Sequence, residues 1–157
     1  MNKEAIDLIF HYSKHYANIL YECESLYEEG RGFVLALCFF NIVESIIRSV
    51  NENFNNSFEE SINSLSFLIT EEEINILHRF RSFRNKYTHK DLNQYFIEYD
   101  GLAYSLNEDN TALKLYELYS EKIYNILIKI VRSKLIQKEI LFLYFLLRKI
   151  EFYDIKI

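Results

Sequence analysis

The stretch FVLALCFFNIVESIIRSV, residues 33–50, is apolar nearly all round. The exception is a narrow stripe of Asn41, Glu44, Ser45 and Arg48, which fall together at a 3.6-residue period. A helix of that kind is buried on most sides. The rest of the chain must therefore supply elements that cover it, and the breaker residues show where those elements end.

Upstream, residues 3 to 28 read as one amphipathic helix. Ile6, Ile9, Phe10, Ala17 and Leu20 fall on one side, and Glu4, Asp7, His11, His15 and Glu22 on the other. "EEGRG" (28–32) supplies a stop, with a glycine suited to a left-handed C-terminal turn. Downstream, "NENFNNSFEES" (51–61) reads as a polar loop with room for a short helix after it. Thr70-Glu71-Glu72-Glu73 is a capping box that opens a further helix, whose inner face carries Ile76, Phe80, Phe83 and Tyr87. In "YFIEYDGLAYSL" (95–106), alternation on each side of Asp100-Gly101 predicts a two-residue hairpin. From about Asn110 to the end the pattern is helical, as one long helix or as two broken between Arg132 and Lys138. The expectation is an all-α single domain over 1–157: a bundle of four to five helices with a small β-hairpin insertion near 95–106.

Composition agrees with that reading. The 157 residues contain no proline and three glycines, so long uninterrupted segments are favoured. A net charge of −5 argues against coating nucleic acid through bulk electrostatics, but it leaves room for one local basic site. The start, "MNKEAIDLIFHYSKHY", does not read as a signal peptide. The run "ILFLYFLL" (140–147) is far too short to span a bilayer. Cys23 and Cys38 stand apart and read as buried thiols rather than as a disulfide or metal framework. A cytoplasmic protein with no membrane partner is expected.

The local basic site is "HRFRSFRNKYTHK" (78–90), and no acidic residue falls between Glu73 and Asp91. On a helical wheel His78, Arg81, Ser82, Asn85 and His89 lie opposite the apolar face. Arg84 sits at the border, roughly 140° round from His89. One reading is a solvated face near a helix C-terminus, where cations offset the dipole. The other is a site. Asn is a poor helix-interior residue and is often placed for a hydrogen bond, histidine can exchange a proton near neutral pH, and arginine can grip a phosphate.

Arg84-Asn85-Lys86-Tyr87-Thr88-His89 resembles the R-N-x-x-x-H form of the R-x(4–6)-H motif of HEPN ribonucleases. That superfamily is an all-α bundle, usually dimeric, found in toxin–antitoxin, abortive-infection and CRISPR systems. The resemblance implies a metal-independent endoribonuclease without cofactor, working as a homodimer whose two motifs share one cleft. It implies that Arg84, His89 and Asn85 are catalytic. His78, Arg81, Lys86, Thr88 and Lys90 would contact the RNA substrate, and Glu44 would support Arg84. An antitoxin or defence-system protein is the implied partner. A toxin branch extends the motif to R-x(4)-H-x-Y, with a modifiable tyrosine; this chain has Asp91 there, so that mode of control is not carried over. The alternative is a non-catalytic HEPN-like module that binds RNA or a protein and dimerises.

Three further features have simpler readings beside the functional ones. Glu44 needs a partner, either Arg48 one turn on or Arg84 at a distance. Asp7, His11 and His15 are spaced four apart, but no further ligand cluster accompanies them, and a solvated face is the better reading. Leu141, Phe142, Phe145, Leu146 and Ile150 cover much of a wheel, which suggests burial on more than one side, in the core or against a second subunit.

Overall fold

A computed structural model describes the backbone of residues 3–154 and the side-chain surroundings of residues 3–143. Six α-helices occur among the described residues: α1 (Lys3–Tyr12), α2 (Lys14–Glu28), α3 (Gly32–Val50), α4 (Phe58–Asn63), α5 (Glu71–His89) and α6 (Asp109–Asp154). A single 3-10 turn (Leu92–Gln94) and an antiparallel hairpin, β1 (Phe96–Tyr99) with β2 (Leu102–Ser105), lie between α5 and α6. The chain is all-α with a small hairpin. The helix count exceeds the expected four to five because the first expected helix is two and the short α4 is a helix of its own.

The apolar helix takes the position its composition requires. α3 packs against α2, α5 and α6, and Leu35, Val43, Ile46 and Ile47 are fully buried. It is long and apolar enough to cross a membrane, yet over half of that stretch is buried inside the bundle. The many aromatic rings meet here. Phe39 sits edge-on to Phe80 at 5.7 Å and to Tyr116 at 4.8 Å, while Phe40 lies 4.7 Å from Phe80 and 5.5 Å from Tyr87. Each such pair adds about 0.5–1.5 kcal/mol beyond area burial. At the start of α3 the backbone of α6 comes so close that a Cβ on Gly32 would run into the Asp109 carbonyl. Asp109 Oδ1 also accepts the Phe33 N–H at 2.6 Å, which satisfies one donor of the α3 N-terminus.

Several expectations are corrected. The helix read over 3–28 breaks at Ser13, whose backbone is extended and whose Oγ accepts the Tyr16 N–H as the cap of α2. A serine offers the backbone a local hydrogen bond that a mid-helix residue would not, and periodicity alone passes over it. His11 and His15 therefore lie on different helices, and Phe10, expected inside, is 47% exposed. On α5 the buried residues are Leu77, Phe80 and Tyr87, with Ile76 and Phe83 only half-buried against the core. Cys23 is buried but Cys38 only partly so.

Other boundaries agree with the reading. Gly30 has φ +72 after α2. Asp100 and Gly101 both have positive φ, and the strands pair Tyr99 with Leu102. α6 runs unbroken through 132–138 for 46 residues, roughly 70 Å. Its inner face is buried up to Val131, but Ile136, Ile140, Leu141, Phe142 and Leu143 are all half or more exposed. Burial on several sides is thus not met within the chain at these positions. Phe145, Leu146 and Ile150 lie outside the described side-chain surroundings.

Candidate functional site

α5 is a charged helix laid out along its own dipole, with Glu71, Glu72 and Glu73 in its first turn and Lys86 and His89 in its last. The capping box closes as its sequence predicts: Thr70 N donates to Glu73 Oε2 at 2.9 Å, and Glu73 N donates to Thr70 Oγ1 at 3.2 Å. Glu73 also pairs with Lys129 of α6. Burial pushes the Glu73 carboxyl up, but the bonds from Lys129 and Thr70 outweigh it and hold the group below the usual carboxylate range. This clamp fixes one end of the helix that carries the motif.

At the other end Arg84 turns toward α3. Its Nη2 lies 2.7 Å from Glu44 Oε2, close as an ion pair though out of line for a hydrogen bond. The second carboxylate oxygen of Glu44, Oε1, accepts from Arg48 Nε at 2.9 Å and lies 2.7 Å from Arg48 Nη2. Glu44 is 7% exposed, so one buried carboxylate stands between two guanidiniums. Arg48 Nη1 continues to the Phe54 and Asn56 carbonyls, tying the loop after α3 to the same cluster. Arg84 Nη1 donates to Asn85 Oδ1 at 3.1 Å, which joins two motif residues directly. Both readings of Glu44 hold at once, because a carboxylate has two oxygens and lone pairs for several donors.

The remaining residues divide into four groups. His78 Nε2 lies 2.9 Å from Asn63 Oδ1, and Arg81 Nη1 lies 2.7 Å from Glu59 Oε2, so both hold α4 against α5. Thr88 Oγ1 donates to the Arg84 carbonyl at 2.9 Å and is turned back onto its own helix. Lys86 Nζ lies 5.3 Å from the centres of both the Phe83 and Tyr95 rings. His89 and Lys90 are exposed at the helix end. Arg84 and His89 are not brought together within one chain: the guanidinium faces the core carboxylate and the imidazole faces outward. Arg48 and Tyr95 lie outside the cation-rich stretch 78–90. Arg48 was visible as a partner of Glu44, whereas Tyr95 carries no signal beyond its aromatic type.

A concavity of about 410 Å³ lies away from the motif and is lined by Glu24, Tyr116 and Tyr124 among others. Tyr116 and Tyr124 donate to Glu24 Oε1 at 2.6 and 3.3 Å, an internal acceptor satisfied by phenols. Among the described residues no group of His, Cys, Asp or Glu is placed to hold a metal ion. No protein-family model, curated protein or solved structure matches this chain.

Proposed function

We propose that the chain is a metal-independent endoribonuclease of the HEPN type that acts as a homodimer in defence or growth arrest. One observation carries this reading: the arginine of the R-N-x-x-x-H hexapeptide is oriented by a buried carboxylate from the central helix and is bonded to the motif asparagine. In the proposed reaction the 2′-oxygen attacks the adjacent phosphorus and loses its proton to a base. The P–O5′ bond breaks, the 5′-oxygen gains a proton, and a 2′,3′-cyclic phosphate remains. His89 serves as the base or the acid, Arg84 bears the extra charge of the phosphorane, and Asn85 positions the guanidinium. Since Arg84 and His89 diverge on one helix, the pair that acts on one linkage comes from two subunits. An antitoxin or other defence protein would restrain the activity.

A second reading is favoured by the same cluster. Glu44 already neutralises Arg84, which suits a non-catalytic RNA- or protein-binding module. An RNase assay in EDTA separates the two. Under the first reading the wild type cuts, and Arg84→Ala and His89→Ala each fall at least about 100-fold while keeping a cooperative melt. Mixing the two inactive variants restores part of the activity, because the mixed dimer keeps one intact pairing of Arg84 from one subunit with His89 from the other. A wild type that leaves every offered RNA whole, or a verified monomer with full activity, would overturn the first reading.

A further inference from the structure

Beside the motif, the outer face of α5 and the segment leaving it form an open groove of about 260 Å³, lined by Arg81, Ser82, Asn85, Lys86, Lys90 and Tyr95. Residues 81, 82, 85 and 86 share that face at helical spacing, and Lys90 and Tyr95 close it from the following turn. Three of the six residues are cations. Arg81 is paired with Glu59, and the neighbouring Asp91 accepts from Asn93 and Gln94 within the 3-10 turn, which leaves Lys86 and Lys90 as the groove's available cations.

Tyr95 is the aromatic component, and its backbone is held on both sides. Its N–H donates to the Leu92 carbonyl at 3.2 Å, and its own carbonyl accepts the Leu106 N–H at 2.9 Å. The 3-10 turn and the end of the hairpin thus fix the backbone of a ring that is half-buried against the core and lines the groove. Lys86, between the Phe83 and Tyr95 rings, brings a cation to the same place. A cationic groove beside a fixed aromatic ring is the arrangement that takes single-stranded nucleic acid. Phosphates follow the charge and a base stacks on the ring, whichever base it is.

We propose that this groove is a one-nucleotide subsite for single-stranded RNA, with the base stacked on Tyr95 and the flanking phosphates held by Lys86 and Lys90. A duplex keeps its bases inside the helix and offers no free face to the ring. The groove adjoins Asn85, so a nucleotide seated there leads the neighbouring linkage toward the motif. This inference rests on the RNA-directed reading above and restricts it to unpaired substrates.

The test uses full-length His89→Ala protein, which leaves RNA intact, with EDTA present. Fluorescence anisotropy is read with labelled decauridylate and with a blunt RNA duplex of the same length. Decauridylate binds and the duplex binds far more weakly. Tyr95→Ala weakens decauridylate binding about tenfold or more, Tyr95→Phe stays within about twofold, and all variants melt like the parent. Lys90→Gln flattens the log–log salt dependence by about 0.7. Unchanged binding by Tyr95→Ala, a duplex bound as tightly as the single strand, or no retention of either RNA overturns the subsite. If decauridylate binds through Tyr95 while wild type cuts nothing, the subsite stands and the cleavage reading falls. If wild type cuts and Tyr95→Ala cuts with unchanged KM, the reverse holds.

Discussion

Glu44 carries more of the architecture than any other polar side chain near the motif. It lies on the otherwise apolar α3, is nearly inaccessible, and receives Arg48 from its own helix and Arg84 from α5. Removing one member of such a cluster costs more than the cluster contributes, because the groups left behind remain desolvated and face one another. Glu44→Gln keeps the shape and deletes the charge, so Arg48 and Arg84, each about a fifth exposed, would be left as two neighbouring cations. We expect a loss of about 2–4 kcal/mol in urea unfolding. Double replacement of Glu44 and Arg84 should lose less than the sum of the single changes, since the two act as a unit. An unfolding curve for Glu44→Gln that superimposes on wild type would show the carboxylate to be dispensable. The i,i+4 contact to Arg48 was legible in the spacing; the contact to Arg84, forty positions on, depended on where α5 docks.

α6 gives the second prediction. It continues past Val131, the last buried position among the described residues, and from Ile140 to Leu143 four successive apolar side chains are more than half exposed. Successive positions cover every side of a helix, so no single neighbour within the chain could shield them. Large exposed apolar surface of this kind is what subunit interfaces bury. If this part of α6 pairs with a second copy, Leu141→Asp with Phe142→Asp should shift the protein from dimer to monomer in light scattering without changing its helical circular dichroism. A double variant with unchanged mass would place any dimer contact elsewhere. The helix itself is expected from periodicity, whereas whether its end is covered by the core or by a second subunit stays open in the sequence, because a run of apolar residues looks the same whether its cover is internal or external. At Ser13 periodicity misleads in the opposite way, since one local cap overrides a period that continues through it.

The assembled core predicts how the protein responds to base. Burial raises the phenols of Tyr87, Tyr116 and Tyr124 well above their usual range, with neighbouring Asp109, Tyr124 and Glu24 adding to the effect at individual sites. Burial likewise pushes the Cys23 thiol up to about 12. A group whose folded pKa is raised contributes stability in full below its unfolded pKa and loses it as pH rises toward the folded value. For tyrosine the loss begins near pH 10, where the unfolded chain starts to ionise. Three such phenols give a fall of about 4 kcal/mol per pH unit above that point, against a total of about 5–15 kcal/mol. Alkaline titration should therefore show a part of the tyrosinate absorbance rising in a cooperative step together with loss of helix. Gradual titration of all 13 tyrosines with helix retained would contradict the burial of these three.

Local chemistry was enough to establish the helical class, the Thr70 capping box, the Asp100-Gly101 turn and a cation-rich helix end with its hexapeptide. Each depends on residues within a turn or two of one another, where the backbone geometry is set in advance. The meeting of Arg84 with Glu44, the groove that includes Tyr95 and the exposed reach of α6 arose only from docking. Packing of distant segments decides which of several locally equivalent faces is covered, and periodicity does not encode that choice.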